Sequence, residues 1–181
     1  MLRVMCACFV AALLPIQSST GVPLDVQLPA FLKALSFDRT LPASDGELAI
    51  GVVFAPGDKD SESTKDRLLE IHRELTRLRV KGQRVQLVPI PYDGSSIGTA
   101  GVKLLLVAPL PASAIDGLAR QSASADVLTL ATDAAYVERG LAMGMEMHGG
   151  RPRFVVNLAA AVEAGASFES SFLTLCRIVE R

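Results

Sequence analysis

The sequence predicts an α/β domain: a mostly parallel twisted sheet of about six strands, helices on both faces, and an antiparallel C-terminal hairpin. Short apolar runs alternate with segments of helical period along the chain. Leu48–Ala55 (LAIGVVFA) is apolar on both faces, as an interior parallel strand requires. Two further apolar runs, Leu141–Met147 and Arg153–Leu158, flank His148-Gly149-Gly150-Arg151, and a Gly pair between such runs reads as a tight hairpin turn.

Asp25–Phe37 reads as the first helix of the folded domain, with Leu28, Phe31, Leu32 and Leu35 on one stripe and Pro29 in its first turn. Leu41–Glu47 is a linker into the Leu48–Ala55 strand. A polar turn then opens a long helix, Glu62–Val80, whose Leu68, Ile71, Leu75 and Leu78 recur every three or four residues before Gly82 ends it. Val85–Ile90 is a second strand that Gln86 and Pro89 push toward a sheet edge. Pro91–Gly101 has no helical period. Val102–Ala108 is a third strand, Ser113–Ser122 a short helix, Asp126–Ala131 a fourth strand and Asp133–Arg139 one or two helical turns.

In the last forty or so residues, Gly140 and Gly144 mark the first hairpin strand. After the hairpin, Asn157 can cap Leu158–Ala164, Gly165 can close that turn, and Ser167 can start a final helix. In that helix Phe168, Phe172, Leu175, Cys176 and Val179 share one face.

The chain has 181 residues, half of them apolar, enough for one domain with a substantial core. Eighteen basic and nineteen acidic residues leave it near neutral, without a basic cluster to neutralise a phosphate backbone. With no Trp and two Tyr it also lacks stacking platforms, so no nucleic-acid partner is expected. Residues 1–21 read as a secretory signal, with Arg3 as a positive start, Val4–Ile16 as the apolar stretch and Ser19-Thr20-Gly21 as small exit residues. The apolar stretch is shorter than the ~20 residues a membrane span needs, and residues 22–181 are expected to form an exported domain that does not cross the membrane. Loss of the signal removes Cys6 and Cys8. Cys176 then stands alone as an apolar, inert thiol that cannot form an internal disulfide.

No standard catalytic or cofactor motif emerges. The loop Pro56–Ser61 lacks phosphate-loop spacing, no dinucleotide fingerprint or acylating-serine elbow occurs, and no cofactor is expected. Asp58, Asp60 and Glu62 alternate like the opening of a calcium loop, but Ser63 and Leu69 stand where that loop needs Gly and Glu. They read as an acidic helix start that suits the helix dipole. A phosphoacceptor receiver would need acidic residues where Ala55-Pro56-Gly57 and Ala108-Pro109 stand. His72 shares a helical stripe with Leu68 and Leu75, and His148 falls in the hairpin turn, so with Cys176 they offer no metal-ligand spacing. Asp133 follows the fourth strand, where a carboxylate can face a cleft or cap the next helix. Alternation puts Arg153, Val155 and Asn157 on one strand face. Asp133, Arg153 and Asn157 are therefore the candidate ligand- or partner-binding residues, and Gly140, Gly144 and Gly165 the structural glycines.

The order Gly140-x-Ala142-x-Gly144, the Gly turn, RPRFVVNLAAAVEAGASFESSFLTLCRIV and, near the start, LPAFLKALSFDRTL resemble the YfiR/HmsC-like family of bacterial periplasmic proteins, over about Val26 to Val179. Arg153 and Asn157 match its terminal motif, whereas Pro91–Gly101 is thinner than the fuller helix the family leads one to expect. The resemblance implies a periplasmic, non-enzymatic regulator, often a homodimer. It would bind the periplasmic part of an inner-membrane diguanylate cyclase or sensor histidine kinase and repress its output. A redox signal acting through an internal disulfide does not fit a mature chain with one Cys. Two other readings stay open: a small solute-binding module that needs a partner to complete its cleft, and an enzyme built on Asp58, Asp93 or Asp133. A flat exposed apolar patch would favour a protein partner; a concave apolar pocket with convergent polar groups would favour a solute.

Overall fold

The strand Glu47–Phe54 (β1) lies in the middle of the fold because both of its faces are apolar. Leu48, Ile50 and Val52 enter one core and Val53 the other. The computed structural model describes residues 21–75, 78–98 and 101–180. The signal expected over residues 1–21, with Cys6 and Cys8, falls almost wholly outside them.

Around β1 the sheet has eight strands among the described residues, rather than about six. The others are β2 (Arg79–Val80), β3 (Gln83–Pro91), β4 (Leu104–Val107), β5 (Leu128–Ala131), β6 (Met143–His148), β7 (Arg151–Asn157) and β8 (Arg177–Val179), in the order β2-β3-β1-β4-β5-β6-β7-β8. Pairings from β3 through β6 are parallel, β6–β7 is the expected antiparallel hairpin, and β2–β3 is a second, short one. One face carries α1 (Leu24–Leu35), α2 (Lys59–Glu74), α4 (Leu158–Glu163) and α5 (Ser170–Leu173). The opposite face carries α3 (Ala112–Ser124) and the 3-10 helix η1 (Ala134–Arg139).

Leu28, Phe31, Leu32 and Leu35 of α1 are buried as their spacing requires. Pro29 stands in the second turn of α1, which begins at Leu24, and not in the first. The long helix ends at Glu74, and Arg79–Val80 turns back on β3 through Lys81 and Gly82, both at positive φ. Gly82 therefore belongs to a hairpin turn and not to a helix end. Since β2 pairs only with Gln83 and Arg84, Pro89 lies beyond its reach and interrupts no outer ladder.

The segment after β3 forms no helix among its described residues; it is held to α3 by Gln121. The Gln121 Oε1 accepts from the Ile97 N–H (2.8 Å), while its Nε2 donates to the Ser95 carbonyl (3.1 Å) and to the Tyr92 hydroxyl (3.3 Å).

The largest departure is at the C-terminal end. The expected final helix is only the four residues of α5, after which Arg177–Val179 pairs in parallel with Val155–Asn157. Phe172 is buried against Phe154 and Phe168 against Phe172, yet Leu175 is 72% exposed, so the five residues share no single buried face.

Candidate functional site

In sheets of this kind ligands bind beyond the carboxyl ends of the strands, where the chain reverses its direction across the sheet. Here α2 carries the chain from β1 to β3 on one side, and the return to β4 crosses to the other, so the switch falls between β1 and β4. The polar groups of these loops are largely turned inward. The Ser61 hydroxyl accepts from the Ala55 N–H at 2.8 Å, and Glu62 accepts from the Gly57 N–H at 3.0 Å. Asp58 caps α2 through the N–H groups of Asp60 and Ser61. The Tyr136 hydroxyl bridges the N–H (3.0 Å) and carbonyl (3.2 Å) of Leu110.

Asp133 accepts from the Ala135 N–H at 2.9 Å and starts η1, so it occupies the helix-capping position. Burial raises the Tyr136 phenol above its ordinary range, the Leu110 contact opposes this, and the charges of Asp133 and Asp58 raise it further. Asp93 stays in its own turn, where hydrogen bonds from the Ser95 hydroxyl (2.6 Å) and N–H (2.9 Å) hold its carboxyl below the usual range. Among the described residues no group of three or more His, Cys, Asp or Glu is arranged to hold a metal ion.

Arg153 and Asn157 do lie on one face of β7, beneath η1, but they do different things. Asn157 is buried; its Oδ1 accepts from the Ala160 N–H at 3.1 Å to cap α4, and its Nδ2 donates to the Val137 carbonyl at 3.4 Å. Arg153 donates to Glu146 on β6, at 3.1 Å from Nε and 2.5 Å from Nη2. Arg177 of β8 joins the same carboxylate and also reaches Glu138 of η1 at 3.1 Å. Burial works to raise the Glu146 carboxyl, but the two guanidinium groups outweigh it and hold it below its ordinary range. Sequence reasoning missed Glu146, Glu138 and Arg177. Glu146 was within reach, because a two-residue Gly149-Gly150 turn sets Glu146 opposite Arg153.

Beyond this network β8 is the last strand of the sheet among the described residues. Beside that edge, on α4, Val162 is 61% and Leu158 39% exposed, and Leu175, in the turn before β8, is 72% exposed. An open groove of about 500 Å³ between α4 and β8 is floored by Leu158, Val162, Ile178 and Val179, with Glu163 and Glu180 at its rim. Nearby, the Cys176 thiol donates to the Phe172 carbonyl at 3.3 Å, and burial pushes its pKa up to about 11.

No curated protein matches the chain. Several solved structures do. A conserved domain protein from Vibrio cholerae O1 biovar El Tor strain N16961 is similar with a TM-score of 0.62 and 17% identity, over 88% of this chain and 60% of the other. An ABC domain from Streptococcus pneumonia, solved with L-Trp, has a TM-score of 0.60 and 15% identity, over 87% of this chain and 62% of its own. A ligand-free, open substrate-binding protein with adhesive properties from Clostridium difficile has a TM-score of 0.54 and 16% identity, over 74% and 54%. The chain thus spans about 60% or less of the length of two of them and 62% of the third, and at these identities the likeness is one of fold. The YfiR/HmsC-like family model matches residues 59–177, leaving the LPAFLKALSFDRTL stretch outside the match, and on that coverage the chain belongs to the YfiR/HmsC-like family.

Proposed function

We propose that this chain is an exported, periplasmic, non-enzymatic regulator. It docks on the periplasmic part of an inner-membrane signalling protein, a diguanylate cyclase or a sensor histidine kinase, and represses that protein's output. The observation that carries this reading, beside family membership, is the exposed apolar groove that Leu158 and Val162 form with Ile178 and Val179 of the edge strand β8. An exposed apolar groove along a sheet edge favours a protein partner over water, and an edge strand offers backbone groups for it to pair with. Repression needs only that the partner's inactive state present a better match to this edge than its active state. The same reading includes a homodimer, which sedimentation at working concentration would detect.

The test is photo-crosslinking in the native periplasm from a reactive residue placed at Val162, with Val162→Glu as the comparison. The expected result is a crosslink to one inner-membrane signalling protein and its loss in V162E, whose melting temperature stays unchanged because the side chain is exposed. Crosslinks to no membrane protein, or equal capture by V162E, would sink the reading.

The second reading, a solute-binding module, draws support from the fold of the L-Trp-bound and substrate-binding neighbours. Solute-dependent stabilisation without any membrane partner would select it.

A further inference from the structure

A second cavity lies at the opposite end of the sheet from the β1–β4 switch, where the strands β4 and β5 begin. It has a volume of about 320 Å³. Leu41 and Pro42 of the linker after α1, Leu104, Leu128 and the Ala164–Ala166 turn after α4 supply mostly apolar walls. Asp38 lies among these walls, while Lys103 and Asp126 also contribute to the lining.

Asp38 is 5% exposed, an unusual place for a carboxylate beside an apolar cavity. Its backbone is fixed by a bridge to Phe168, flanked by the bonds from Arg39 N–H to the Ser167 carbonyl (2.9 Å) and from Glu169 N–H to the Phe37 carbonyl (3.0 Å). One side-chain oxygen, Oδ1, accepts three hydrogen bonds: from the Thr40 N–H at 3.0 Å, the Thr40 hydroxyl at 2.8 Å and the Ser167 N–H at 2.9 Å. The other oxygen, Oδ2, has no hydrogen-bond partner among the described residues, and Asp38 lines the cavity. The nearby Lys81 ammonium donates to the backbone carbonyl oxygens of Asp38 and Leu41. The Lys103 ammonium lies 3.5 Å from the Ala125 carbonyl.

A carboxylate locked by one oxygen and free at the other, beside a small apolar cavity, is a ready acceptor for a charge-assisted hydrogen bond. A volume of this order lies at the lower end of ligand pockets and suits a small ligand. We propose that this cavity binds a small organic cation, a primary ammonium group carried on an apolar chain. The ammonium donates to Asp38 Oδ2, and the chain lies against Leu41, Leu104 and Leu128. The site shares no residue with the α4–β8 edge, so it stands or falls apart from the docking reading.

The test uses n-hexylammonium chloride, with n-hexanol and hexanoate as neutral and anionic counterparts, titrated into the mature protein and followed by calorimetry and amide NMR. The central variant is Asp38→Asn, which keeps Oδ1 as acceptor for Thr40 and Ser167 and replaces Oδ2 with an amide nitrogen. Ala164→Leu, which narrows the cavity without touching Asp38, guards against misfolding of the first variant. The expected result is saturable binding of hexylammonium, with shifts at residues 38–41, 103–104, 126–128 and 164–166. Binding should be roughly tenfold or more weaker in D38N, and weaker by the same order for hexanol and hexanoate; A164L should also weaken it. The proposal is overturned if hexylammonium does not saturate, if hexanol binds as tightly, if folded D38N retains full affinity, or if the shifts map elsewhere.

Discussion

Arg177 on the last strand reaches past β7 to Glu146 on β6, with Nε at 3.2 Å from one carboxylate oxygen and Nη2 at 3.1 Å from the other. Arg153 approaches the same carboxylate from the strand between them. One carboxylate therefore ties three strands together and fastens the three-residue β8 to the hairpin.

Glu146→Gln should loosen β8 and cost about 1 kcal/mol, a modest value because all three side chains are partly solvated. The Glu146 carboxyl titrates below its ordinary range in the folded chain, so its contribution is present above the unfolded carboxyl's pKa and fades as pH falls through the lowered folded value. Denaturant unfolding of both proteins across the acid range checks this: the difference should be full near neutrality and close to zero in strong acid. A difference that grows toward acid would contradict it.

Gly144 lets β6 approach η1. A Cβ there would stand 2.9 Å from Val137 Cγ2 and 3.2 Å from Ala134 Cα. Gly144→Ala should destabilise by about 1–3 kcal/mol through overpacking, read as a lower urea midpoint. A change below half a kcal/mol would mean that η1 shifts freely.

Asn157→Ala removes the α4 cap and a partner of the Val137 carbonyl. The expected loss is about 1–2 kcal/mol, with Asn157→Asp recovering the cap but not the donor. Hydrogen exchange should place the added opening in residues 158–164.

Burial raises the Cys176 thiol from its usual 9 to about 11. At about pH 8, alkylation of the folded chain should run roughly 100-fold slower than that of the denatured chain, from the thiolate fraction alone. Equal rates would show the thiol to be open to solvent.

The local chemistry of this chain was legible in its residues. Asp58, Asp133 and Asn157 each precede a helical start and each caps it, because a short side-chain oxygen can reach the free N–H groups of a first turn whatever the rest of the fold does. Gly149-Gly150 set the hairpin turn, and with it the Glu146–Arg153 pair. The Asp38 cavity was not legible, since it joins residues near positions 38, 103, 126 and 165 that only packing brings together.

The two end strands were decided by the tertiary structure alone. In Phe168–Val179 the apolar spacing fits a helix, and in Arg79–Val80 it continues one, but such short segments gain little from intrahelical bonds. β3 and β7 each offered a row of unpaired backbone groups, and pairing there satisfies the chain's own N–H and carbonyl groups while Ile178 packs against the core in register with Val156. Sequence periodicity determined which residues could be buried; the open edges of the sheet determined whether those residues would be buried as helix or as strand.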